Sequence, residues 1–359
     1  LTELSEIALS ERAPLVQADR ATFVYRGADP PVVVGDFNNW GGWDGVPLEF
    51  NPAGLETWLA SVRLPADAYV EYLLKTGDEA VLDPLNPRTT SNGLGGRQNF
   101  FHMPGSQETW LARRFANVPR GTVTRHELHS GHLIVGGKRT VHLYSPPTDE
   151  ACPLLIVFDG DEYLRRARLP LILDNLIHQG RIRPIAAAFV NHARQARYVE
   201  YMCSDAHVSF LVSHVLPLAS QYLNLIDPAQ EPGLYGVCGA SMGGLISLYA
   251  ALRLPEVFGR VLSQSGAFLP DISGKSTLIR ELIGLGFGTP ISVYLSVGTF
   301  ERLLADNRDM NELLRGRGFS VTYREFSAAH NYTAWRNDLP RGLVALYGSG
   351  DQVKPLRTP

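Results

Sequence analysis

Residues 235–252 read YGVCGASMGGLISLYAAL. An apolar run leads into Gly239-Ala240-Ser241-Met242-Gly243, and Leu245, Leu248, Tyr249 and Leu252 follow at helical spacing. The pattern predicts a strand, a sharp corner and a helix. A G-x-S-x-G is a weak signal alone. Between a strand and a helix it marks the turn that displays a serine hydroxyl at the carboxyl edge of a sheet. Glycines leave room for the tight backbone, and the helix start aims free N–H groups at developing negative charge. The competing reading is a glycine-rich strand–helix turn with a capping serine.

The texture around this corner sets the fold class. PLLIVFDG (153–160), IAAAFV (185–190), GLYGVC (233–238), RVLSQS (260–265), ISVYLSVG (291–298) and SVTYREF (320–326) read as strands. Helical patterns at 164–178, 205–224 and 302–317 separate several of them. Nearly continuous apolar strands alternating with helices mean an α/β domain with a mostly parallel sheet covered on both faces. GTVTRHELHS and KRTVHLYSPP read as a hairpin entering it.

A displayed serine needs a base, and the base an orienting carboxylate, in the order Ser, Asp/Glu, His. The chain has ten histidines, and one of them, His330, follows Ser241. It lies in SAAHNYTAW, just after the last predicted strand. Glu301 comes three residues after Gly298, at the end of the strand before; Asp306 is the alternative, further into the helix. The oxyanion donors expected are the N–H of Met242 and one from the turn at Gly160 and Asp161. The run Asp159-Gly160-Asp161-Glu162 lacks the ligand count and spacing of a calcium loop, so solvated loop acids or acids that shape the turn are the better reading. A serine mechanism calls for no metal and no organic cofactor.

Residues 20–105 have another texture. TFVYR, PVVVGDF, TWLASVRL and AYVEYLLKTG are rich in β-branched and aromatic residues and are separated by Gly, Pro, Asn and Asp. They predict a small antiparallel sandwich. The expected division is a β-sandwich domain at 1–118, a catalytic domain at 119–350 and a tail at 351–359. Trp40, Trp43 and Trp58 suit packing better than sugar stacking. A net charge of −3 offers no broad basic field for nucleic acid or membrane, and no apolar run is long enough to span a bilayer. No basic, apolar leader opens the chain, although it begins with Leu. Cys152, Cys203 and Cys238 are scattered without metal or redox spacing, which points to a cytoplasmic setting, or a periplasmic or secreted one if a leader has been removed.

With these residues placed, the chain resembles the enterochelin (enterobactin) esterase family, in the esterase D branch of the α/β-hydrolases. The resemblance is carried by RTVHLYSPP (139–147), LLIVFDGDEYL (154–164), GASMGG (239–244), SQSGAF (263–268), VGTFERLL (297–304) and AAHNYTAWR (328–336). In the first half it is carried by RATFVYRG (20–27), VVGDFNNW (33–40) and LDPLNP (82–87). It implies an α/β-hydrolase fold behind an early-set, immunoglobulin-like sandwich. It implies hydrolysis of a cyclic trilactone, the iron-loaded catecholate siderophore, with Ser241, Glu301 and His330 as nucleophile, acid and base. The family's histidine loop reads Gly-Gly-His-Asp-x-x-x-Trp; here Ala329 and Asn331 replace the second glycine and the aspartate, while His330 and Trp335 remain. The partner implied is a small-molecule ester, and the oligomeric state is open. Related enzymes cleave feruloyl or acetyl esters of plant polysaccharides, which is the alternative substrate. A sugar-binding module fused to an inactive hydrolase is the alternative of another class. Because a ferric tris-catecholate is strongly anionic, Arg165, Arg194 and Arg197 are expected substrate contacts, and Trp335 of the histidine loop is expected to join them. A pairing of Arg197 with Glu200 is the competing reading.

Overall fold

A computed structural model describes residues 13–42, 45–93, 95–269, 275–285 and 291–348. Trp43, the chain start and the expected 351–359 tail lie outside the described residues. The chain forms two compact units. One takes in the described residues up to Glu108 together with Gly298–Arg302 and Glu325–Ala334. The other takes in Thr109–Val297, Leu303–Arg324 and the described residues from Trp335 onward.

The first unit is all-β up to Glu108. Its strands are β1 (Leu15–Gln17), β2 (Arg20–Arg26), β3 (Val32–Gly35), β4 (Leu48–Glu49), β5 (Asn51–Gly54), β6 (Thr57–Arg63), β7 (Tyr69–Thr76), β8 (Glu79–Val81), β9 (Thr89–Ser91) and β10 (Arg97–His102). They make two antiparallel sheets, β1-β2-β6-β5 and β4-β3-β7-β10-β9, with β8 beside β7. In β2, Ala21 and Phe23 are buried while Arg20 and Arg26 face solvent. Phe23, Val33, Val70, Tyr72 and Phe101 form the core, and the Phe23 ring meets Tyr72 edge-on at 4.9 Å. Trp40 and Trp58 spend their indole N–H groups inside this unit, on Asp36 Oδ1 (3.2 Å) and Gly27 O (2.9 Å).

The second sheet-forming region runs β11 (Thr122–His129), β12 (Lys138–Ser145), β13 (Leu154–Phe158), β14 (Ala186–Val190), β15 (Tyr235–Ala240), β16 (Phe258–Gln264), β17 (Ser292–Gly298) and β18 (Ser320–Phe326). Their order is β11-β12-β14-β13-β15-β16-β17-β18. The β11–β12 hairpin joins antiparallel, and β14, β13, β15, β16 and β17 run parallel. Every residue of β13, β14 and β15 is buried, as a sheet covered on both faces requires. This is the α/β-hydrolase fold behind an all-β domain.

The helices differ from expectation where proline intervenes. The segment 164–178 is two helices, Gly160–Arg165 and Leu169–His178, broken at left-handed Arg168 (φ 53°), with Pro170 in the first turn of the second, where its missing N–H has no helical partner to lose. The segment 205–224 is Asp205–Phe210 and Leu216–Tyr222, joined by a wide π turn at Leu211–Val215. Pro217 has no N–H to continue the regular ladder, and a wider turn absorbs the loss. No helix among the described residues is long and apolar enough to cross a membrane.

Candidate active site

Ser241 caps the helix Met242–Arg253 directly after β15, with φ 58° and ψ −123°. A non-glycine residue held there is strained, and the surroundings over-determine it. Its N–H donates to Gln264 O (2.9 Å), and its carbonyl accepts from Gly244 N (3.0 Å) and Ala267 N (3.0 Å). A Cβ on Gly239 would stand 2.5 Å from the Gly243 carbonyl, so the corner closes this tightly only with glycine there. Cys238, three residues before Ser241 in β15, is buried, and its thiol is pushed up to about 12 by desolvation, which leaves it inert.

The opposing turn follows β13. Asp159 is left-handed (φ 55°), and Gly160 opens the helix Gly160–Arg165. A Cβ on Gly160 would lie 2.6 Å from the Phe189 carbonyl carbon. As first-turn residues, Gly160, Asp161 and Met242 have N–H groups without acceptors inside their helices.

Arg197 braces both turns. Its guanidinium donates to Asp159 Oδ1 (2.7 Å) and Oδ2 (2.6 Å) and to Ala240 O (3.3 Å), and it lies over the Tyr201 ring at 4.8 Å. Asp159 is 2% exposed, so the pair is desolvated on the carboxylate side. The competing pairing of Arg197 with Glu200 does not form. Glu200 is buried and takes Arg139 at 2.5 Å from β12. Burial raises the Glu200 pKa against the pull of that guanidinium. The bracing role of Asp159 was legible only as a shaping acid, because its partner is 38 residues away.

His330 and Glu301 meet within the first unit. His330 Nδ1 lies 2.7 Å from Glu301 Oε2, and Glu301 Oε1 accepts the Gly298 N–H at 2.9 Å. The Glu301 side chain is 1% exposed and that of His330 is 39% exposed. A carboxylate only accepts, so Nδ1 carries the hydrogen, and Nε2 is the nitrogen left to exchange a proton.

Arg165 and Arg194 line one cavity of about 740 Å³ with Arg125, Lys138, His142 and Asp161. Lys138 and Arg125 share Glu127 at 2.6 and 3.7 Å. Among the described residues neither Arg165 nor Arg194 has a carboxylate within ion-pair distance. His142 Nδ1 is buried without a hydrogen bond, 3.8 Å from Asp161, and desolvation lowers its pKa. Trp335, expected beside the substrate, is 4% exposed; its indole N–H donates to Ser265 Oγ (2.9 Å) and its carbonyl accepts from Gln264 Nε2 (2.9 Å). That gives it a packing role behind the strand β16. No group of three or more His, Cys, Asp or Glu among the described residues could hold a metal ion.

A family model described as "Putative esterase" matches residues 133–346. The chain belongs to this esterase family. It is 28% identical to the iron(III) enterobactin esterase of Dickeya dadantii over 298 residues, covering 76% of this chain and 66% of that protein. It is 26% identical to the iron(III) enterobactin esterase of Escherichia coli K12 over 277 residues, covering 75% of this chain and 68% of that one. The chain thus spans about two thirds of the length of these relatives. Among solved structures it is similar to the enterobactin esterase of Shigella flexneri, with a TM-score of 0.73 at 22% identity over 91% of this chain and 92% of that one. The esterase family model covers the elbow, both turns and the 740 Å³ cavity except Arg125.

Proposed function

We propose that this esterase-family chain is a serine carboxylic-ester hydrolase whose substrate is an anionic catecholate trilactone of the ferric enterobactin type. The observation that carries the reading is the Glu301–His330 hydrogen bond of 2.7 Å, formed by the one histidine that follows the serine of the elbow. Ser241, Glu301 and His330 each come shortly after a strand of one sheet, β15, β17 and β18, which supports their working together.

In the reaction His330 Nε2 takes the proton of Ser241 as its oxygen attacks the ester carbonyl. Glu301 keeps Nδ1 protonated and stabilises the imidazolium. The Met242 N–H and an N–H of Gly160 or Asp161 hold the oxyanion, and the leaving alcohol takes the proton from His330. Water activated by His330 then releases the acid from Ser241. An acyl-enzyme of this kind needs no metal from the protein; iron enters only as cargo of the substrate.

Two features support the substrate class. Arg165 and Arg194 bring positive charge to one cavity without a carboxylate in ion-pair distance among the described residues, which suits an anionic ligand. The relatives named above are iron(III) enterobactin esterases. Arg197 is proposed as a brace beside the substrate, and Trp335 as the support behind it. The test is turnover of ferric enterobactin, methyl ferulate and p-nitrophenyl acetate by the full chain, with Ser241→Ala as blank. Preference for the trilactone is expected. Preference for ferulate overturns the substrate, and no turnover of any ester overturns the enzyme.

A further inference from the structure

The turns that carry Glu301 and His330 leave the large sheet but fold as part of the sandwich unit. They are stitched to each other: Thr299 N donates to Phe326 O (2.8 Å) and Phe300 N to Ala328 O (3.2 Å). The sandwich then grips both. The Phe300 side chain packs against the core made by Phe23, Val70, Tyr72 and Phe101. Tyr69, the first residue of β7, donates its backbone N–H to Ser327 O (3.0 Å). Its hydroxyl donates to Glu71 Oε1 (3.0 Å) and has Thr333 as a neighbour. Ser327 and Thr333 stand three residues on either side of His330, so one sandwich residue bonds the loop on one flank of the imidazole and neighbours it on the other.

The grip extends into buried polar groups. Asp36 Oδ2 accepts the Glu71 N–H (2.8 Å), and its Oδ1 accepts the Trp40 indole N–H. Burial above all, then the charge of Glu71, pushes the Asp36 pKa well up, and Glu301 is among the charges that add to this. The acid is therefore within electrostatic reach of the sandwich interior.

We propose that Tyr69 and Phe300 are positioning residues for ester cleavage, so that the β-sandwich is the clamp that holds the Glu301 carboxylate and the His330 imidazole in register. This rests on the reading of His330 as the base. A displacement of about 1 Å in a reacting group can cost on the order of 100-fold in rate. A phenylalanine anchored next to Glu301 in sequence and a tyrosine bracketing His330 are placed to prevent such a shift. On this account the sandwich works in the reaction and is more than an appended binding module.

The experiment uses the full chain and four variants: Phe300→Ala, Phe300→Leu, Tyr69→Phe and Leu74→Ala. Leu74 is 3% exposed in the same core, toward the other end of β7 from Tyr69, and serves as the control for core loss alone. Two readouts are taken. One is the low-field proton resonance of His330 Nδ1–H, which needs no substrate; the other is kcat and KM for p-nitrophenyl acetate. Phe300→Ala is expected to abolish the resonance and lower kcat by about 30-fold with KM within about twofold. Phe300→Leu is expected to restore both to within about threefold, and Tyr69→Phe to lower kcat by about fivefold. Leu74→Ala should leave the resonance in place. An unchanged resonance in both Phe300→Ala and Tyr69→Phe, or an equal loss of kcat in Leu74→Ala, overturns the proposal. If the parent chain cleaves no ester, the function proposed above fails, while the resonance still decides whether the sandwich holds the pair.

Discussion

Ser241 and His330 are fixed by different means. The serine corner is set by near neighbours in the chain and by strands of its own unit: Gly239 and Gly243 close the turn, Gln264 and Ala267 bond its backbone, and Arg197 reaches Ala240. The imidazole is set by its bond to Glu301, 29 residues earlier, and by a loop bonded to Tyr69, far back in the first unit. The comparison teaches that the geometry of the serine corner is local and self-sufficient, whereas that of the Glu301–His330 pair depends on residues distant in sequence.

The largest effect expected falls on the elbow. Ser241→Ala should remove about 10⁶-fold of ester turnover while the melting temperature stays within a few degrees, read by steady-state kinetics and calorimetry. A variant that melted much earlier would show that the corner depends on its serine for folding, and the comparison would break. On the other side, Glu301→Gln keeps the shape but removes the charge that fixes the Nδ1–H tautomer. A loss of about 10⁴-fold in kcat is expected, with the elbow still intact by hydrogen exchange over residues 235–253.

Gly160→Ala tests the turn that faces the elbow. Its methyl would strike the Phe189 carbonyl, move the turn and cost about 100-fold in kcat, with KM changed far less. The cavity comes next. Arg165→Ala combined with Arg194→Ala should raise KM for an anionic ester by about tenfold and leave a neutral p-nitrophenyl ester within about twofold, and added salt should shrink the difference.

The parts legible from sequence were those fixed by short-range rules. The strand–corner–helix around Ser241 reads directly from GVCGASMGGL, because each constraint lies within a few positions. The pairing of His330 with a carboxylate after β17 follows from chain order. What escaped depends on distant partners or on polar residues in buried places. The strand β10, RQNFFH, hides its alternation because Asn99 is fully buried; its side chain accepts from Asp83 N (2.7 Å) and donates to Asn86 O (2.8 Å). The helix Tyr332–Tyr347 carries Pro340 in its interior, which reads as a stop in sequence. Arg197 looked like a ligand residue because nothing nearby in the chain announces Asp159 as its partner.

The smallest effect separates core chemistry from catalysis. His207 is fully buried among Phe158, Tyr201 and Phe210, with neither ring nitrogen hydrogen-bonded. Desolvation first, then the Arg139 charge, lowers its pKa to about 3, so it stays neutral although Glu200 lies 3.8 Å away. The unfolded chain would bind a proton there below about 6.5, whereas the folded chain does not until about 3. Unfolding therefore takes up a proton in this window, and stability falls as pH drops from about 6.5 toward 3. Replacing His207 by Phe should flatten that part of the melting-temperature profile without moving kcat at pH 7 by more than about twofold. An unchanged slope would mean that the ring is charged in the folded state.

The central claim is that His330 activates Ser241. A fluorophosphonate reacts far faster with an activated serine than with an ordinary one, so the decisive measurement is the rate and site of phosphonylation by peptide mass spectrometry in the parent chain and in His330→Ala. The account predicts a single adduct on Ser241 that forms about 10³-fold or more slowly without the imidazole. An adduct elsewhere, or one on Ser241 at an unchanged rate in His330→Ala, would contradict it.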